Sequence, residues 1–296
     1  MLPQLLLISL LGSTWTTVTG LHCAQTFPSQ PPPSTVSSVR PSDVAVLSPI
    51  GLHMHSTELS TVVSRLRELM TLFNPALIST LSDETTLNGP QFVQQSSLVE
   101  QAKEVNIYLQ NNQVIDVDRD WKLVLLFVQV DQLCACKQQQ VQSVIQSVVE
   151  EVDEALQLLR SQLKRTIVSV ALWDGEHNAF QKMCPCMETN REGEVRLLRA
   201  TLTQSLQESL DELMVKKRWY SDRDDFTVTL QDKPFITDLS SVASGKPLSE
   251  SEAAQQTDKL MVQMWANLVR PTAISCSLHM LYIHKHIGSL FALRQT

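Results

Sequence analysis

The sequence predicts a three-layer α/β sandwich, a mostly parallel five-stranded sheet with helices on both faces, and three observations predict it. From Asp43 onward, apolar runs of strand length alternate with segments whose apolar residues recur at helical spacing. The run WKLVLLFVQV, residues 121–130, is apolar on both faces, as a strand buried between two helix layers must be. Successive strands are separated by enough chain for a helix, which implies parallel pairing through right-handed crossovers.

The elements follow in order. DVAVLSPIG supplies the first strand, and Leu59, Val62, Leu66, Met70 and Phe73 mark the first helix, stopped by Asn74-Pro75. A short apolar segment at Ala76 to Ser79 is read as the second strand, and a helix spans Ser97 to Gln110. After the strand at 121–130 comes a long helix with Val141, Val144, Ile145, Val148, Val152, Leu156, Leu159 and Leu163 on one stripe. Its acidic run, Glu150, Glu151, Asp153 and Glu154, is expected to be a solvated face. TIVSVALW, residues 166–173, is the fourth strand. A helix carrying Val195, Leu198, Leu202, Leu206, Leu210 and Leu213 follows, and DFTVTLQ is the fifth strand. The last helix, Ala253 to Val269, ends before Pro271.

The 296 residues suit one such domain. A net charge of -7 repels phosphate backbones, so nucleic acid is not an expected partner. Residues 1–20 carry no charge and an apolar run of about ten, the pattern of a secretory signal; that run is too short for a bilayer span, and no transmembrane anchor is predicted. Residues 21–42 form a Pro/Ser-rich leader that lacks the apolar surface to order itself, 43–273 the domain, and 274–296 a tail. The tail reads equally as an amphipathic helix, a native extension or translation past an exon boundary. Cys23, Cys134, Cys136, Cys184, Cys186 and Cys276 all follow the signal, an even number that favours disulfides whose pairing stays open. Their C-x-C spacings are too tight for a zinc site.

Ligands of such sheets bind at the carboxyl ends of the strands, so chemistry is sought at the turn around His53 and after Val130. Several constellations fail. Asp116, Asp118 and Asp120 begin like a calcium loop, but Trp121 stands where its glycine belongs and Phe127 where its glutamate belongs. Gly245-Lys246 lacks the rest of a phosphate loop. Asp174 and His177 have acid-base spacing with no nucleophile motif aimed at them, and no G-x-S-x-G elbow exists. His53 and His55 could hold zinc or copper only with a third ligand, for which His279, His284 and His286 are the candidates. No cofactor or metal is expected.

The blocks VRPSDVAVLSPIG, DWKLVLLFVQVDQLC, MCPC, RWYSDRDDFTVTLQ and MWANLVRP resemble the repeat domain of membrane-associated phospholipase B, across roughly residues 39–271. That family belongs to the SGNH (GDSL) lipases and esterases, and the resemblance implies their three-layer α/β sandwich. It also implies a site, G-D-S-L after the first strand, a glycine in a second block, G-N-D after the third strand and a final D-x-x-H. On this sequence the G-D-S-L positions fall on Gly51 to Met54, with His53 in place of the nucleophile. The second-block glycine falls near Phe92 and Val93, and V-Q-V-D-Q-L-C stands for I-G-G-N-D-L-C, with Asp131 in place of the amide-bearing asparagine. D-x-x-H falls on Leu248 and Ser251, and no histidine lies between His177 and His279.

The expectation is therefore a secreted phospholipase B-like protein that is catalytically inactive, with Met54, His55 and their neighbours lining a remnant cleft for an acyl chain or other lipid, or for a protein partner of unknown identity. The competing expectation is an active lipid esterase with a rebuilt site, using Ser48 or Ser56 as nucleophile and His53 or His55 as base.

Overall fold

A computed structural model describes residues 28–51, 57–80, 97–130, 133, 135, 138–174, 192–219, 221–232, 234–236 and 250–269. The chain runs β1 (Val44–Ile50), α1 (Thr57–Thr71), β2 (Ile78–Ser79), α2 (Leu98–Asn111), β3 (Trp121–Gln129) and α3 (Gln138–Gln162). It continues through β4 (Thr166–Asp174), α4 (Glu192–Lys217), β5 (Phe226–Leu230), β6 (Phe235–Ile236) and α5 (Glu250–Val269). The strands order as β2-β1-β3-β4-β5, and every described pairing is parallel. The result is the expected three-layer α/β sandwich of the SGNH type.

One strand was not expected. β5 follows β4 only as far as Val170, and β6 then takes over the same edge, pairing Phe235 with Trp173 and Ile236 with Asp174. Two residues show no periodicity, so nothing in the sequence marks them as a strand.

Alternation along the strands divides the core into two layers. Val46, Ile50, Val124, Leu126 and Val128 face Val105 of α2, Ile145 and Val152 of α3, and Leu202, Leu206 and Leu210 of α4. Leu47, Leu125, Phe127, Ala171 and Trp173 face the other way, toward Leu59, Val62 and Leu66 of α1 and Leu260 and Met264 of α5. On that side Phe73 stacks on Trp265 with ring centroids 5.1 Å apart, so the end of α1 and the body of α5 grip each other beyond simple area burial.

Two half-buried carboxylates correct the reading of the acidic run on α3. Glu151 Oε1 accepts the Leu98 amide at 2.6 Å, satisfying one of the orphan donors at the start of α2, where Ser97 Oγ accepts Glu100 N–H as N-cap. Asp153 pairs with Lys217 at 2.7 Å. Glu150 and Glu154 do face solvent. Charge periodicity cannot separate these cases, because the partners come from other helices.

The described part of the leader, from Pro28 on, also docks, although its composition argues against order. Trp121 Nε1 donates to the Pro33 carbonyl (2.8 Å), Val36 N–H donates to Asp224 O (2.8 Å), and Asp43 accepts from the Ser29 and Arg40 amides. Val39 is buried against β1 and α1 residues. A segment too polar to fold alone needs only a few anchors once a finished surface exists.

Lys122 is the charged residue of β3, and its side chain is buried. Its stem runs out to the amino edge of the sheet, where Nζ donates to the carbonyls of Val117 (2.7 Å), Asp120 (2.6 Å) and Lys164 (2.9 Å). Burial pushes the ammonium down to about 8, against the opposing pull of Asp120, Asp116 and Asp118. Between pH 8 and about 10.5 the unfolded chain therefore holds the proton that the folded chain has lost, so stability rises with pH through that window. The expected gain reaches at most about 3 kcal/mol, because the three carbonyls favour the ammonium. Urea titrations of the wild type and of Lys122→Met at pH 7.5 and 9.5 check this; a pH response equal in both would remove Lys122 as its origin.

Candidate functional site

In a sheet ordered 2-1-3-4-5 the chain reverses direction between β1 and β3, and the crevice at their carboxyl ends is the natural ligand position. Gly51 lies there, directly after β1, with φ +79°. A Cβ at this position would stand 2.0 Å from the Phe127 carbonyl oxygen, so the approach of β1 to β3 itself excludes every other residue type. Both backbone groups of Gly51 are held by side chains. Its N–H donates to Gln101 Oε1 (2.7 Å) from α2, and its carbonyl accepts from Gln129 Nε2 (2.5 Å) at the end of β3.

The two glutamines therefore fasten the crevice from opposite layers. Gln101 belongs to the α2 face that buries Ala102, Val105 and Leu109. Gln129 is buried, and its Oε1 meets no donor. The sequence reading missed both. Each carries a faint signal: a glutamine on the apolar face of a helix, and a glutamine closing an otherwise apolar strand.

Ser48, named above as a nucleophile for a rebuilt site, does not reach the crevice. It is fully buried two residues before the strand ends, and its hydroxyl is bonded to Thr80 Oγ1 at 2.9 Å. His53, Met54, His55, Ser56, Phe92, Val93, Asp131 and Leu248 lie outside the described residues, as do His177, His279, His284, His286, Gly245, Lys246 and the six cysteines. Ser251 falls in the first turn of α5.

Asp174, at the carboxyl end of β4, is part of a buried polar seam. Its carboxylate pairs with Arg199 of α4 and accepts from Thr203 Oγ1 (3.1 Å). Further back along β4, Gln231 Nε2 donates to Ser169 Oγ (2.6 Å), and Gln207 Nε2 of α4 donates to the Gln231 carbonyl (3.0 Å). This arrangement fastens α4 to β4 and β5. Asp174 is thereby committed to a structural ion pair rather than poised as the acid-base partner that D-x-x-H spacing suggests.

Asp116, Asp118 and Asp120 sit at the opposite, amino edge. Asp116 Oδ1 accepts the amides of Asp118 and Arg119, Asp120 Oδ2 accepts that of Asp116, and Asp118 pairs with Lys164 at 2.9 Å. The hydrogen bond and charge of Lys164 hold the Asp118 carboxyl below its usual range. These carboxylates order a turn. Among the described residues no three metal-ligating side chains converge, and no helix is long and apolar enough to cross a membrane.

No family model matches the chain. It is 22% identical over 84% of its length to membrane-associated phospholipase B1 of Mus musculus. Over 72% of its length it is 23% identical to the proteins of the same name from Homo sapiens and Rattus norvegicus. The chain spans about one fifth of the length of these relatives. It is phospholipase B-like over most of its sequence.

Two expectations follow. Gly51→Ala combines the Phe127 clash with a left-handed backbone, and a loss of at least about 2 kcal/mol is expected in urea unfolding. Arg199→Met strands the Asp174 carboxylate and should cost about 3–5 kcal/mol, most of it recovered in the double variant with Asp174→Leu, a coupling that a double-mutant cycle measures directly.

Proposed function

We propose that the chain is a secreted phospholipase B-like domain of the SGNH (GDSL) type that no longer hydrolyses esters and binds an acyl chain of a lipid. The observation that carries this reading is the Gln129 side chain lying across the β1/β3 crevice, bonded to the Gly51 carbonyl. By the resemblance of V-Q-V-D-Q-L-C to I-G-G-N-D-L-C, Gln129 and Val130 occupy two glycine positions and Asp131 that of the asparagine. Where the resemblance implies open backbone and an amide aimed at a developing oxyanion, this chain has bulk and a carboxylate. An anion there repels the transition state that an oxyanion hole exists to stabilise.

The other reacting positions point the same way. His53 stands for the serine, and no histidine occurs between His177 and His279 to serve as the base. In serine hydrolases the loss of nucleophile or base alone lowers turnover about a millionfold, and further losses add little because the groups act together. The esterase alternative is weakened by the burial of Ser48 against Thr80, which leaves Ser56 as its nucleophile.

Lipid as the ligand class is supported by the similarity to the membrane-associated phospholipase B1 proteins, and secretion by the charge-free apolar start of the chain. In an oxidising compartment the six cysteines would pair. The test incubates purified protein with a fluorophosphonate probe and a short-chain ester beside the double variant His53→Ala/His55→Ala. The expected result is no labelling above that of the heat-denatured protein. Labelling or turnover that disappears in the double variant would restore the esterase.

A further inference from the structure

A depression of about 510 Å³ opens at the amino edge of β4 and β5, opposite the crevice at Gly51, and is lined by Gln157, Arg160, Ser161, Lys217, Trp219 and Arg223. Three cations from α3, α4 and the β5 approach meet there, and no carboxylate lines it. Their counter-charges stand outside the lining: Arg160 pairs with Asp222 (2.9 Å), Lys217 with Asp153 (2.7 Å) and Arg223 with Asp225 (2.8 Å). Arg223 is further held by the carbonyls of Arg160 and Leu163, so it is fixed in place. Arg160 and Lys217 are not. Asp222 takes one of the five guanidinium N–H groups of Arg160, and Asp153 takes one of the three ammonium donors of Lys217.

The C-terminal ends of α3 and α4, whose dipoles attract cations, account for the charges on their own. They do not account for Trp219. Arg218, in the left-handed region at φ 46°, ends α4 and turns the chain so that the Trp219 ring is buried under the Arg160 guanidinium, 5.6 Å from Cζ to centroid. The Trp219 indole N–H is buried without an acceptor. Arg160 and Lys217 line the depression with donors that their carboxylates leave unused, which suits an acceptor carrying negative charge, and the depression is of the size that holds a small ligand.

We propose that this depression binds a phosphate group, borne by a lipid headgroup or free in solution, between Arg160 and Lys217 and beside the Trp219 ring. The site is independent of the crevice at Gly51 and stands or falls apart from it.

The test follows the Trp219 indole N–H resonance of the full chain, assigned with Trp219→Phe, during titration with inorganic phosphate and with short-chain phosphatidic acid below its micelle concentration. Co-sedimentation with phosphatidylcholine vesicles, with and without phosphatidic acid, forms the third arm. A saturable shift is expected, weakened about tenfold in Arg160→Gln and in Lys217→Gln and unchanged in Arg65→Gln, an exposed α1 cation paired with Glu68. A response to inorganic phosphate identifies the free anion as sufficient, and a response confined to the lipid arms identifies the headgroup. No shift in any arm, or equal weakening by Arg65→Gln in variants of unchanged melting temperature, overturns the proposal.

Discussion

Everything in this fold depends on β3 being sealed on both sides: all nine residues from Trp121 to Gln129 are buried. A strand without a solvent face requires a helix layer above and below, and each apolar side chain so enclosed contributes on the order of 1.5–3 kcal/mol relative to exposure. The crossovers that supply those layers make the pairing parallel. With the strands aligned, all their carboxyl ends gather on one edge and all their amino ends on the other. The polar residues of β3 sit at these two edges, Lys122 reaching out to backbone carbonyls at one and Gln129 to Gly51 at the other.

Much of this was legible beforehand because it rests on local periodicity. The run of β3, the stripe from Val141 to Leu163 and the stop at Asn74-Pro75 each declare themselves within two dozen consecutive residues. Asn74 does more than stop the helix, since its side chain donates to the Val44 carbonyl and accepts the Ala76 amide. What was not legible involves partners far apart in the chain. Gln101 and Gln129 meet Gly51 across 50 and 78 residues, and Arg199 meets Asp174 across 25. No spacing rule links such pairs, and a polar residue in an apolar segment reads as noise until the fold supplies its partner.

The same distinction separates scaffold from chemistry. Gly51 matches the first position of a G-D-S-L turn, which invites a functional interpretation. Yet the Phe127 carbonyl would demand glycine there whatever followed it, because the constraint is the closeness of two neighbouring strands. A glycine kept for packing says nothing about whether the next two residues form a nucleophile turn. By the resemblance, the positions that would speak to chemistry are occupied here by His53 and Asp131.

Gln129 belongs to neither class alone. Its amide completes the hydrogen bonding of Gly51, which stabilises the crevice, and in the same act it fills space where the resemblance has only backbone. Replacing it by glycine would reopen the space but leave the Gly51 carbonyl without its donor, a cost of roughly 1–3 kcal/mol at a buried position. On the proposed reading, a serine placed at 53 would meet a rim whose hydrogen bonding depends on the side chain that fills it. On that reading, stability and catalysis would compete for one side chain at this edge of the sheet, and the Gln129 to Gly51 bond serves stability.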